Sequence, residues 1–291
     1  MPELQNPLRL VTFNNIPGAF RVTQNWAAQS GHKIVLVVTS PGPKVRRSQG
    51  YQEIAQIAGE QNIELLITTR MKAVVLPVLA ALKPDLIVSA SFPWLLPPEV
   101  LATARLGAIN LHPTLLPAYR GPNALRQIYD GASHIGSTLH WIDSAFDTGR
   151  ILSQHRAPLP RPCTPEAIYP AWAGTMIAAL AEGAQKAIAG DPGTAQPEEG
   201  ASYVARFSEQ EHWLDLTEPA YSVQCKATAL SIAHEHPVRA RINGEVWVIE
   251  RVDLVETTAP NATPGNVIEQ LADGVMVQTG EGAAKLTGRK A

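Results

Sequence analysis

Five short, continuously apolar runs separated by helix-like stretches fill the first part of this chain, and no other feature restricts its fold as strongly. The runs are RLVTF (9–13), KIVLVVTS (33–40), IELLITT (63–69), DLIVSAS (85–91) and AINLH (108–112). Between them, residues 18–29, 51–61, 71–82 and 98–105 carry helical patterns. Strands that are apolar throughout have both faces covered, and intervening helices supply the crossovers of parallel pairing. The expectation is therefore an α/β, doubly wound, mostly parallel sheet. In such sheets ligands sit beyond the carboxyl ends of the strands.

The pattern changes after a further helical stretch at 165–189. The following GDPGTAQPEEGA (190–201) is rich in Gly, Pro and acid and reads as a linker. Beyond it, VRARING and EVWVIERVDLVE meet at Asn243-Gly244, a strong hairpin signal, and GNVIEQLADGVMVQTGEGAAKL continues the short-strand pattern. These features predict a domain over 1–189, a linker over 190–202 and a smaller C-terminal β-barrel domain over 203–291.

Charge excludes a strong pull towards polyanions. Lys+Arg 24 against Asp+Glu 26 gives a net charge of −2, and residues 203–291 are themselves net acidic. The start MPELQNPLRLVTF lacks the pattern of a secretory leader, and no run approaches membrane-spanning length, so a cytoplasmic protein is expected. Cys163 and Cys225, far apart and without a CxxC, read as inert thiols rather than a disulfide framework or zinc site. His234 and His236 lack an evident third ligand, so no metal is expected.

Nucleotide signatures are absent from FNNIPGAF after the first run, which has neither GxGxxG nor GxxxxGK[ST]. Chemistry concentrates elsewhere. In AINLHPTLLPAYRGPN, Asn110 and His112 are two apart at a strand end, so an amide and an imidazole share one face. In LHWIDSAFDTGRIL, an apolar run ends in a loop bearing Asp143, Asp147 and Gly149, with His140 nearby. Taken singly, these residues also fit a turn, a satisfied polar side chain and a turn-former.

NLHPTLLPAYRG followed by GSTLHWIDSAFDTGRIL resembles the signature of the folate-dependent formyltransferases, N-x-H-x-S-L-L-P-x-x-R/K-G and then D-T-G, with Thr114 in place of the usual Ser. SASFPWLLPPEV resembles that family's folate-binding loop. RFSEQEHWLDLTEPA and PGNVIEQLADGVMVQTGEG resemble the carboxyl-terminal barrel of methionyl-tRNA formyltransferases. The resemblance implies a Rossmann-like catalytic domain that uses 10-formyltetrahydrofolate as formyl donor, without a metal. It implies Asn110, His112 and Asp147 as catalytic residues: an amide donor for the developing oxyanion, an imidazole donor or base, and a carboxylate that orients and stabilises the charged imidazole. Phe92, Trp94, Leu95 and Leu96 on one side, and Ile142, Asp143, Ala145 and Phe146 on the other, would form the slot for a flat pterin. Arg120 and Gly121 would shape the rim near the acceptor.

The acceptor separates the remaining readings. TSPGPKVRRSQGYQE is a short loop carrying Lys44, Arg46 and Arg47, whereas the family's tRNA enzymes have a long basic loop there, and the second domain is acidic. A small-molecule amine (an amino sugar, an ornithine-type side chain or an aminoacyl metabolite) is the favoured acceptor. Methionyl-tRNA is the nearest alternative. The same residues could instead activate water in a 10-formyltetrahydrofolate hydrolase, or the scaffold could serve a non-catalytic folate-binding protein.

Overall fold

The computed structural model describes residues 7–42, 50–256 and 262–291. Lys44, Arg46 and Arg47 of the basic loop lie outside the described residues. The chain divides into two units that are not contiguous in sequence: Met1–Gly121, Gly136–Arg156 and Ala173–Ser202 form the first, and Pro122–Ile135, Ala157–Trp172 and Tyr203–Ala291 the second.

The elements of the first half are β1 (Arg9–Asn14), α1 (Pro17–Gln29), β2 (Lys33–Thr39), α2 (Gly50–Glu60), β3 (Leu65–Ile67), α3 (Leu76–Leu82), β4 (Leu86–Ala90), α4 (Pro98–Leu101), β5 (Ala108–His112) and α5 (Arg126–Tyr129). β6 (His134–Trp141), β7 (Ile151–Pro158) and α6 (Pro165–Ile188) follow. The seven strands form one sheet in the order β3-β2-β1-β4-β5-β6-β7. β1 to β5 pair in parallel, and β6 runs antiparallel to β5. The mostly parallel α/β fold is thus as expected, with a reversed strand beside β5.

Except at the edge strand β3, which has no buried residue, the apolar runs are buried on both faces, as parallel strands between helices are. Along β1, Leu10 enters one core with Phe20, Ile54, Ile109 and Leu180, while Val11 and Phe13 enter another with Val38, Leu79 and Leu96. The helix expected over 71–82 opens as a wide π-helical turn, Met71–Val75, before α3. Pro77 explains the change, because it has no N–H to donate back to the preceding turn.

In the second unit, β8 (Trp213–Leu214), α7 (Ala220–Ala233), β9 (Val238–Ile242), β10 (Glu245–Val255), β11 (Val267–Leu271), β12 (Gly274–Gln278) and β13 (Ala283–Lys290) follow in turn. The six strands form a mixed sheet in the order β11-β12-β13-β10-β9-β8, parallel between β8 and β9 and otherwise antiparallel. Asn243 and Gly244 join β9 to β10 with φ of 49° and 80°. Both positive values belong to the two-residue hairpin turn that an Asn-Gly pair favours. Among the described residues, no helix is long and apolar enough to cross a membrane.

Candidate active site

β5 fixes the first two groups. Asn110 and His112 are alternate residues of one strand, so their side chains leave the same sheet face. Pairing extends that face sideways, because Ser89 of β4 and His140 of β6 are both in register with Asn110, and Thr138 is in register with His112. Thr138 in turn anchors the loop after β5: its hydroxyl donates to the Thr114 carbonyl at 2.7 Å and accepts the Leu116 N–H at 3.1 Å. Thr114 keeps the hydroxyl function, donating to the Ala118 carbonyl at 3.1 Å.

That loop ends in two left-handed residues, Tyr119 (φ 59°) and Gly121 (φ 100°), which aim backbone groups at the site. The Tyr119 carbonyl lies 3.0 Å from His112 Nε2, and the Gly121 N–H donates to Asp147 Oδ2 at 2.9 Å.

Asp147 arrives from the β6–β7 connection, where Asp143 Oδ1 accepts from the Ala145 N–H at 3.2 Å and the Thr148 hydroxyl at 2.7 Å. Asp147 itself is left-handed (φ 58°), a conformation Asp tolerates better than most residues. Gly149 must be glycine for a different reason: a Cβ there would lie 1.7 Å from the Trp141 carbonyl oxygen.

The carboxylate is the hub. Its Oδ1 is 3.3 Å from Asn110 Nδ2, 3.4 Å from His112 Nδ1 and 3.6 Å from His140 Nε2. His140 Nδ1 lies 2.7 Å from the Trp141 carbonyl and so carries a hydrogen. In the neutral ring, Nε2 is then bare and accepts from Asn110 Nδ2 at 3.1 Å. The Asn110 amide is thereby oriented by two acceptors, the carboxylate and His140.

Burial would raise the carboxyl pKa of Asp147. The charges on His112 and His140 when those rings are protonated, the hydrogen bond a protonated His140 donates, and the Gly121 N–H outweigh burial and bring it down to about 2. His112 behaves oppositely. Burial pushes its pKa below the ordinary 6.5, and the Asp147 carboxylate and Tyr119 carbonyl only partly oppose this. A neutral ring facing two acceptors satisfies one of them, whereas a protonated ring satisfies both. The arrangement therefore keeps a base neutral near pH 7 and stabilises the proton once taken.

Asn110, His112 and Asp147 converge within this one cluster. Of the other residues expected near a ligand, Phe92 and Ile142 pack on the core that contains Phe13, and Leu96 is inside that core at 3% exposure. Phe92 meets Phe13 edge to face at 5.2 Å, and the Trp94 indole N–H donates to Ser40 Oγ at 3.0 Å. Leu95 and Phe146 are large apolar side chains left 41% and 42% exposed. Ala145 is also exposed, and Asp143 is engaged in shaping its loop.

Two contributors went unassigned in the sequence. His140 could have been found by extending the alternation of β6, which puts it on one face with Thr138. Gln196 had no such signal, since it lies in the stretch read as a linker. Its Nε2 donates to the carbonyls of Asp147 and Gly149, both at 2.8 Å, and its Oε1 accepts from Arg120 at 2.8 and 3.0 Å. Ser202 closes the same clamp, accepting from the Tyr119 N–H at 2.9 Å through its hydroxyl and from the Arg120 N–H at 2.9 Å through its carbonyl. A Gln196→Leu substitution removes four hydrogen bonds at nearly constant volume. It is expected to cost about 2–3 kcal/mol, read from the denaturant midpoint.

His234 caps α7 and His236 meets His212 edge to face at 5.0 Å. Among the described residues, no group of three or more His, Cys, Asp and Glu side chains is placed to hold a metal ion.

Comparison with known proteins points in one direction. Residues 12–182 match the family model described as formyl transferase. A methionyl-tRNA formyltransferase of Neisseria gonorrhoeae is 30% identical over 287 residues, covering 95% of this chain and 91% of the relative. An N-formyltransferase from Helicobacter canadensis, in complex with folinic acid and dTDP-3-aminofucose, superposes with a TM-score of 0.68 at 18% identity, over 98% of this chain and all of that one. A variant of HypX from Aquifex aeolicus shares the fold at a TM-score of 0.65 and 18% identity; the match covers 98% of this chain but only 48% of HypX.

Proposed function

Since the chain belongs to the formyl transferase family, we propose that it transfers the formyl group of 10-formyltetrahydrofolate to the primary amine of a small molecule, using Asn110, His112 and Asp147. The observation that carries this reading is the buried carboxylate hub, with an imidazole and an oriented amide both within 3.4 Å of one oxygen. In the proposed reaction the amine nitrogen attacks the formyl carbon, and the carbonyl oxygen takes up the electron pair. As that intermediate collapses, the bond to N10 of the folate breaks and N10 takes up a proton, so that neutral tetrahydrofolate leaves. One Asn110 N–H turns to the developing oxyanion, which fixed donors in a desolvated site stabilise strongly. His112 accepts the proton that the attacking amine loses, and Asp147 stabilises the resulting imidazolium. An alkyl amine resembles lysine, so neutralising it at pH 7 costs about 4–5 kcal/mol, and a neighbouring neutral base lowers that barrier.

We assign the pterin to the slot between Phe92, Trp94, Leu95 and Leu96 and the loop of Ile142, Asp143, Ala145 and Phe146. Leu95 and Phe146 supply exposed apolar surface for the ring faces, while Leu96 and Ile142 support it from the core side.

A small amine fits the short chain between β2 and α2 and the acidic balance of residues 203–291. Methionyl-tRNA remains a second reading because one face of the second sheet is locally basic. Arg239 and Arg241 lie 5.7 and 5.2 Å from the Trp213 ring centre, and Arg289 flanks the same Val248 that pairs with Arg239. Averaged charge conceals such a face, which has the cation and aromatic character that nucleic acid favours. Relatives named methionyl-tRNA formyltransferase support the same reading.

The test supplies 10-formyltetrahydrofolate with charged methionyl-tRNA or with a panel of amino sugars and amino acids, following tetrahydrofolate release and product mass. Formylation of a small amine alone bears out the proposal, and rapid formylation of tRNA replaces it with the second reading. Free formate without an amine identifies a hydrolase. Folate binding without turnover identifies a binding protein and refutes the catalytic assignment.

A further inference from the structure

The chain's two cysteines, separate in sequence, meet within the second unit. Cys163 precedes α6, and its backbone is clamped onto α7 on either side of Cys225: its N–H donates to Gln224 Oε1 at 2.8 Å and its carbonyl accepts from Thr228 Oγ1 at 2.7 Å. Both residues are fully buried in the same core, and their thiols hydrogen-bond to each other. The Tyr221 hydroxyl reaches Cys225 and also lies 3.1 Å from the Pro160 carbonyl, while the Arg161 guanidinium sits 4.7 Å over the Tyr221 ring. A cavity of about 990 Å³ is lined by sequence neighbours of both cysteines, Arg161, Pro162 and Thr164 of one and Tyr221, Ser222 and Gln224 of the other, while the two thiols themselves lie behind that lining.

We propose that Cys163 and Cys225 form an oxidation site, at which hydrogen peroxide closes an intrachain disulfide and ties the segment ahead of α6 to α7. Formyl transfer uses neither thiol, so this inference stands apart from the catalytic reading. Two buried thiols serving only as small apolar side chains would need neither each other nor a cation nearby. Here the partners also divide the roles. The hydrogen bond from Cys163 holds the Cys225 thiol below its ordinary pKa against burial, helped by Tyr221 and the Arg161 charge. The same pairing, with burial, pushes Cys163 up. Cys225 is therefore the attacking sulfur and Cys163 the resolving one.

In the first step the Cys225 thiolate forms a bond to one peroxide oxygen and the O–O bond breaks. The departing hydroxide takes a proton and leaves as water, and Cys225 becomes a sulfenic acid. The Cys163 sulfur then attacks that sulfur, the S–S bond forms, and hydroxide leaves with the Cys163 proton as a second water. Two thiols have lost two electrons and one peroxide has become two waters.

The experiment exposes the reduced full-length chain to hydrogen peroxide, alkylates it in denaturant and maps the peptides without reductant. The expected result is loss of both alkylatable thiols together, with one peptide joining Cys163 to Cys225 that dithiothreitol separates. In Cys163→Ser, dimedone should label Cys225; in Cys225→Ser, Cys163 should remain alkylatable at the same exposure. Two free thiols after peroxide, a disulfide only between chains, or sulfinic acid without the linked peptide overturns the proposal. The wild-type map decides the question even if either variant fails to fold.

Discussion

A His112→Ala enzyme is expected to turn over about 10²- to 10⁴-fold more slowly than the wild type, the usual range for losing a positioned acid or base. Affinity for the folate should stay within about threefold, because the proposed pterin slot does not include this ring. Stopped-flow or steady-state kinetics, together with a fluorescence titration of folate, separate the two effects. Unchanged turnover would falsify the assignment. A His112→Gln enzyme provides the control for packing, since it restores a polar side chain of similar reach at this buried position but cannot take a proton. The pH profile adds a readout that a structural role would not move. Burial lowers the pKa of His112 below 6.5, so the ring is neutral at pH 7 and becomes charged only on acidification. The wild-type kcat/KM should therefore fall on an acid limb below pH 6.5, and His112→Gln should lack that limb.

Asp147→Asn is expected to lower kcat by about 10²- to 10³-fold, through loss of the charge that stabilises the protonated imidazole. Its stability should also respond differently to acid. In the wild type, the folded-state pKa is about 2 against an ordinary 3.8, so the folded state binds fewer protons than the unfolded state between these values. The stabilisation is present above pH 3.8 and is lost as pH falls towards 2, amounting to about 2 kcal/mol. Denaturant unfolding measured across this window should show that loss in the wild type and not in Asp147→Asn. Equal pH dependence in both proteins would mean that the carboxylate is not the ionised hub the geometry describes. His112 contributes an acid sensitivity of its own at higher pH: a ring buried neutral disfavours the folded state once pH drops below 6.5.

The division of labour between chain order and folding follows from these groups. β1 and β5 were legible in RLVTF and AINLH because burial on both faces leaves a continuous apolar run, and the hairpin at Asn243-Gly244 was legible because few dipeptides tolerate two positive φ values. Asn110 and His112 could be paired without any tertiary information, since alternate residues of a strand share a face. The motif resemblance added Asp147.

Only tertiary structure decided how that carboxylate is surrounded. Two groups of the site are backbone, the Gly121 N–H on Asp147 and the Tyr119 carbonyl on His112, and backbone groups leave no trace in residue identity. Gln196 reaches Asp147 from a stretch whose Gly, Pro and acid content describes solvent exposure and says nothing about one half-buried amide. His140 faces Asn110 because β6 runs antiparallel beside β5, a pairing that composition does not specify. Cys163 and Cys225 show the same limit. Local periodicity reports which side of an element is apolar, but which distant side chains meet there depends on how whole elements pack.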